Sequence, residues 1–230
     1  MPMSEEGGYT LVELLIGAMI SLVVLGAIMM MVEVATRGQD RVTERVYANQ
    51  RGRPVMNRLV DRLHAACVSP GLAPVLKESD DDTLILYSQA GSDVSPVPDR
   101  YVIDLSGGAL TETVYPGTGG EPEEWTFGSP SGPAQVLDGV GGAEVGEPPV
   151  PVPLFRYFAY EEGEVASTPL ETPLDEEDAK QTVQVDIAFT VAPSSAGSAY
   201  DNSEVTLSDS ATLRIEPASE DSAEVNLPCE

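Results

Sequence analysis

Between Leu11 and Val32 the chain runs for 22 residues with a single charged side chain, Glu13. As an α-helix that stretch is about 33 Å long at ~1.5 Å per residue, enough to cross a bilayer core of ~30 Å. Glu13 lies inside the apolar run near its N-terminal end. A carboxylate at membrane depth costs on the order of 2.5–3.5 kcal/mol on insertion scales, so it calls for a partner and marks a position with a function. The plain alternative is a signal anchor whose glutamate sits close to water at the end of the span.

The residues around that glutamate are Gly8-Tyr9-Thr10-Leu11-Val12-Glu13-Leu14-Leu15-Ile16. An aromatic-Thr-Leu-aliphatic-Glu-Leu string after a glycine, opening an apolar run near the chain start, resembles the cleavage and methylation motif of type IV prepilins and pseudopilins. The resemblance covers about the first 30 residues. It implies cleavage after Gly8 by the prepilin peptidase, N-methylation of Tyr9 as the mature N-terminus, and an assembly role for Glu13, the fifth mature residue. In a filament of packed N-terminal helices, the amine of a neighbour's Tyr9 can approach the Glu13 carboxylate. That pairing would relieve the burial cost and set the register between subunits. The partners it implies are other pilin or pseudopilin subunits, the peptidase and the membrane.

The leader, residues 1–8, carries Glu5 and Glu6 and neither lysine nor arginine, while Arg37, Arg41 and Arg45 follow the span. The positive-inside rule alone would orient the span with its C-terminal flank in the cytoplasm. The resemblance implies the opposite, because the peptidase of that family acts at the cytoplasmic face. It places the distal domain outside the cytoplasm, on a single-pass membrane protein or in an extracellular or periplasmic filament. Cleavage ahead of the apolar segment also sets the leader apart from an ordinary secretory signal.

Charge divides the chain unevenly. Of a formal net charge of −26, residues 1–76 contribute zero, with 7 basic and 7 acidic side chains; residues 77–230 hold 5 basic and 31 acidic ones. Such a surface repels DNA phosphates and anionic headgroups, so direct nucleic-acid binding by this domain is not expected. The two cysteines are Cys67 and Cys229. An even count in an exported domain makes a disulfide plausible, and closing so long a loop would stabilise the domain by up to about 5 kcal/mol. Two free thiols or a catalytic cysteine are the alternatives. The only histidine, His64, lies one turn before Cys67 on the same expected helix, which supports neither catalysis nor a zinc site lacking other soft ligands.

Beyond Val32 the pattern turns amphipathic. Val42, Val46, Val55/Met56, Leu59/Val60, Leu63 and Cys67 recur at three- and four-residue steps, so residues 33–68 read as a continuation of the helix into the globular domain. Pro54 is expected to kink or interrupt it, and Ser69-Pro70-Gly71 to stop it. Residues 69–230 then read as an acidic, β-rich domain. Strands are expected at Thr83–Gln89, Arg100–Leu105, Ala109–Tyr115, Leu154–Tyr160, Thr182–Val191 and Ala211–Ile215, with a hairpin at Ser106-Gly107-Gly108. Residues 116–153 read as an extended loop, with Trp125–Phe127 and Ala134–Leu137 as short strands or anchors, and Glu161–Lys180 as a second, acidic loop. The order makes an α+β fold, a long N-terminal helix packed on an antiparallel sheet with long loops, which is also what a pilin-like resemblance implies.

No phosphate-binding loop and no nucleophile elbow occurs in the chain, so it is not read as an enzyme, and no cofactor is expected. Asp80-Asp81-Asp82 could contribute carboxylates to a calcium site, but the run lacks EF-hand spacing and reads as a solvated turn. The function implied is a structural subunit of a type IV pilus, a secretion pseudopilus or a DNA-uptake filament, minor pilins and J-type minor pseudopilins included. The rival is an exported binding or enzymatic domain that uses the helix only as an anchor.

Overall fold

A computed structural model describes residues 10–66, 73–89, 97–120, 124–161, 164–193 and 204–213. The fold is α+β. Helix α1 (Leu11–His64) comes first, followed by β1 (Thr83–Ser88), β2 (Asp99–Ser106), β3 (Ala109–Tyr115), β4 (Gly117–Gly119) and β5 (Thr126–Phe127). Next are β6 (Ser131–Asp138), β7 (Val140–Val145), β8 (Val150–Val152), β9 (Phe155–Glu161) and β10 (Glu164–Val165), then α2 (Glu176–Gln181), β11 (Thr182–Val191) and β12 (Val205–Thr212). Contacts divide the chain into two units, with the boundary inside α1 between Glu44 and Arg45.

The described part of the N-terminal unit is helical from Leu11 onward, and of the side chains described up to Thr43 none is buried. The second unit is built on two antiparallel sheets. One has four strands in the order β1-β2-β3-β6; the other has six, in which β9 and β7 share one edge of the long strand β11 while β12 takes the other. A separate pair, β4 with β5, completes the strands. The β2–β3 turn is the expected two-residue hairpin, with Ser106 opposite Ala109. Gly107 and Gly108 both have positive φ, 59° and 77°, the backbone that a type I′ turn requires and that glycine adopts without a Cβ penalty.

The C-terminal part of α1 supplies one wall of the core. Ala48, Val55, Met56, Leu59 and Leu63 are buried at helical spacing, and Ala66, just past the helix and bridged to Ser88, is buried beside them. They join Leu84, Leu86, Tyr101, Ile103 and Leu110 of the four-stranded sheet and Phe155, Tyr157, Val185, Ile187 and Phe189 of the other in one apolar cluster. Each such side chain contributes about 1.5–3 kcal/mol by leaving water.

Several expectations need correction. Val42 and Val46 are 62% and 49% exposed, so the buried stripe begins only at Ala48. Pro54 does not interrupt α1. The carbonyl it leaves without an N–H donor, that of Gln50, lies on the exposed side of the helix where water can reach it. The 116–153 stretch is not a loop: five strands run through it, and several of its glycines and prolines, Gly117, Gly132, Pro133, Gly141 and Pro151 among them, are taken up within those strands. Within it, Asp138-Gly139-Val140 passes the chain directly from one sheet to the other, with Gly139 at φ 64°. The Glu161–Lys180 loop contains β10 and α2, whose Asp175 N-cap accepts from the N–H groups of Glu177 and Asp178. The last strand among the described residues is Val205–Thr212, which starts earlier than the expected Ala211–Ile215 and is set by its register against β11; residues 214 and 215 lie outside the described residues.

Candidate functional site

The N-terminal helix begins at Thr10, whose carbonyl accepts from Leu14 N–H at 3.2 Å and whose Oγ1 accepts from Glu13 N–H at 3.3 Å. Thr10 is therefore the N-cap and Glu13 stands at the third helical position, the Thr-x-x-Glu spacing of a capping box. That spacing is legible in the sequence, although a search for membrane and processing signals passes over it. A carboxylate in the first turn also meets the positive end of the helix dipole, a favourable contact of about 0.3–1 kcal/mol. Glu13 thus has a local role before any partner is considered. Gly8 and Tyr9, the expected cleavage and methylation residues, lie outside the described residues.

From Leu11 to Val34 every large apolar side chain of this helix is exposed, Leu11 by 77% and Met30 and Met31 by 72% each. They occupy the whole circumference, so no rotation of the helix offers water a polar face. Among the described residues α1 is the one helix long and apolar enough to cross a membrane. Apolar surface of this extent and continuity marks a segment covered by lipid or by other helices. Gly17 and Gly26 have nothing within 4 Å of where a Cβ would stand, leaving two notches on that surface. Immediately beyond the run, Arg37 pairs with Glu33 one turn earlier at 2.6 Å, the first ion pair along the helix.

The domain-facing part of the helix is tied to the four-stranded sheet by charge. Glu112 on β3 is only 5% exposed and is held by Arg58 and, at 3.8 Å, by Arg62. The Arg62 guanidinium lies 4.2 Å from the centroid of Tyr101, itself buried on β2. Burial raises the Tyr101 pKa, with the nearby Arg62 charge working against it. The arginine–carboxylate pairing could not be read from sequence, since Arg58 and Glu112 are 54 residues apart and only the strand register brings them together.

The acidic turn has a structural duty. Asp80 Oδ1 accepts from the N–H groups of Asp82 and Thr83, closing the turn that starts β1, and Thr172 donates to Asp81 at 2.6 Å. Desolvation first, then the charges of Asp80, Asp81 and Asp104, raise the Asp82 pKa above the usual carboxylate value. Among the described residues no group of three or more His, Cys, Asp or Glu is arranged to hold a metal ion. His64 is exposed at the end of α1. Cys67 and Cys229, the expected disulfide, lie outside the described residues.

Comparison of the chain with protein-family models, with curated proteins and with solved structures finds no match.

Proposed function

We propose that this chain is a pilin-like structural subunit. It inserts through its N-terminal helix, loses residues 1–8 to a prepilin-type peptidase, and assembles through that helix into a filament. The observation that carries the reading is the helix from Leu11: apolar and exposed around its circumference, with a lone carboxylate at Glu13, five residues after Gly8. A helix of this kind serves equally as a membrane span and as the shaft of a helical array, so one segment can move between the two settings. The acidic distal domain then stands outside the cytoplasm, joined at its termini by a Cys67–Cys229 bridge. No catalytic step is assigned to it.

The place of Glu13 in the first turn, its N–H held by Thr10 Oγ1, favours a second reading, in which the Glu13 carboxylate serves only the helix dipole and the span is a plain anchor for the exported domain. The intact mass of the native protein, taken without reduction, tests the first reading. It should lack residues 1–8, carry one extra methyl group, and be two hydrogens lighter than the reduced chain. A mature protein that still begins at Met1 or Met3 sinks the processing step; alkylatable thiols at both cysteines sink the bridge.

A further inference from the structure

Alternation along β11 sorts its side chains between the two faces of the six-stranded sheet. Val185, Ile187 and Phe189 join the core, which leaves Gln184, Asp186 and Ala188 on the opposite face. The register sets Asp186 between Arg156 of β9 and Ser210 of β12, and Ala188 opposite Ser208. Asp186 accepts from Arg156 at 3.0 Å on one carboxylate oxygen and from the Gln184 amide at 2.8 Å on the other. These side chains line a cavity of about 450 Å³, within the size range of small-molecule sites. The Arg156 Nε–H is shielded from water and lacks an acceptor among the described residues, so the guanidinium holds donor capacity that Asp186 does not use.

The lining decides what can occupy the cavity. Anions are disfavoured, because Asp186 already meets the Arg156 charge and residues 77–230 carry a net −26. A hard cation such as calcium takes about six to eight oxygen ligands. Here both Asp186 oxygens are committed to donors, and Asp209 Oδ1 accepts from the Ser210 N–H. An apolar ligand would strip water from Gln184, Ser208 and Ser210 without replacing its hydrogen bonds. A neutral polyhydroxyl ligand meets none of these obstacles, since each hydroxyl both donates and accepts. On the same face of β9, Arg156 lies 5.8 Å from the Phe158 ring, and Tyr160, one alternation further, is 57% exposed. We infer that the cavity binds a neutral glycan chain. Arg156, Gln184, Ser208 and Ser210 hold the hydroxyls of one sugar, and Tyr160 stacks on a neighbouring ring. The inference goes beyond the assembly reading and does not depend on it.

The test uses full-length protein in micelles of a zwitterionic detergent, which presents no sugar headgroup. Cellotriose, chitotriose and maltotriose are titrated to millimolar concentration, with binding read by ligand-observed NMR, and at least one should bind. Ser210→Leu fills the cavity from an exposed strand position and should weaken that binding about tenfold or more, with an unchanged thermal midpoint. Arg156→Lys keeps a charge beside Asp186 but loses the planar donors, and Tyr160→Ala removes the exposed ring; each should weaken binding severalfold. Liposomes carrying galactosylceramide, run beside the soluble sugars, separate a glycolipid headgroup from a free glycan, and binding to either that Ser210→Leu abolishes supports the site. Absence of binding to every sugar and to the liposomes overturns the inference. So does binding that Ser210→Leu and Arg156→Lys leave unchanged, or capture of a neutral Asn-Ser peptide in place of any sugar. All of these outcomes leave the assembly reading where it stands.

Discussion

Glu13 is the residue on which the two readings of the N-terminal helix divide. Thr10 caps the Glu13 backbone N–H, so replacing the Glu13 side chain costs locally only its favourable contact with the helix dipole, about 0.3–1 kcal/mol. As an assembly residue its replacement costs co-assembly. Glu13→Leu removes a carboxylate from the apolar run, so membrane-fraction abundance should hold or rise. Recovery in sheared filaments, or cross-linked to partner subunits, should drop. Unchanged co-assembly would leave Glu13 with only its local role at the helix dipole. A second residue, Tyr157, is fully buried, with its hydroxyl 3.0 Å from the carbonyls of both Asp80 and Thr83. Burial first, then the charge of Asp80, raises its pKa well above the ordinary 10.0. Folding therefore favours the protonated form: the stability is fully present below about pH 10 and is lost as pH rises beyond it. Tyr157→Phe should lower stability by about 1–2 kcal/mol. In denaturant titrations it should also make the alkaline fall shallower, though not absent, because burial raises Tyr87 and Tyr101 as well. An alkaline limb identical to wild type would remove Tyr157 from that account.

At the scale of elements, the helix-to-sheet contact depends on close approach at one position. A Cβ on Gly52 would fall 2.8 Å from Val191 Cγ2 and closer still to Leu207, both buried against α1. Gly52→Val should therefore destabilise the domain by about 1–3 kcal/mol, since overpacking outweighs the helix preference gained; a melting temperature at or above wild type would refute this. The sheet edges show a different economy. Pro133 interrupts the donors of β6 and Pro151 those of β8, β10 is two residues long, and Asp209 breaks the apolar alternation of β12. Such edges are poor templates for strand addition. Self-association by pairing at these four edges is thereby disfavoured.

For the whole molecule, net charge sets the solution behaviour. With 31 acidic side chains in residues 77–230 against five basic ones, the folded domain repels itself, and expansion relieves that repulsion. Screening weakens the repulsion within a Debye length of about 8 Å at 0.15 M salt. The melting temperature should rise as sodium chloride is raised from low to molar concentration, the opposite of what a domain held together by surface ion pairs would do. A melting temperature that falls with salt would mean that attractive pairs such as Arg156–Asp186, at 3.0 Å, dominate over the net charge.

The sequence by itself determined the elements whose signal is local. The apolar run from Leu11, the switch to amphipathic spacing, the Gly107–Gly108 turn and the alternation in Thr182–Val191 all follow from periodicity and backbone preference within a few residues. They were enough for the α+β class and for the candidate residues at the N-terminus. Tertiary structure decided what depends on distant neighbours. Short strands between glycines and prolines look like loop until a partner strand supplies their hydrogen bonds, as β3 does for β6 and β11 for β7. Pro54 remains helical because its side of α1 faces water and the other side is packed. Arg58 and Glu112 meet only because α1 lies across β3, and the buried stripe starts at Ala48 because that is where the sheets begin to cover the helix. Burial and pairing are properties of the packed chain, and a one-dimensional pattern records only the side chains available for them.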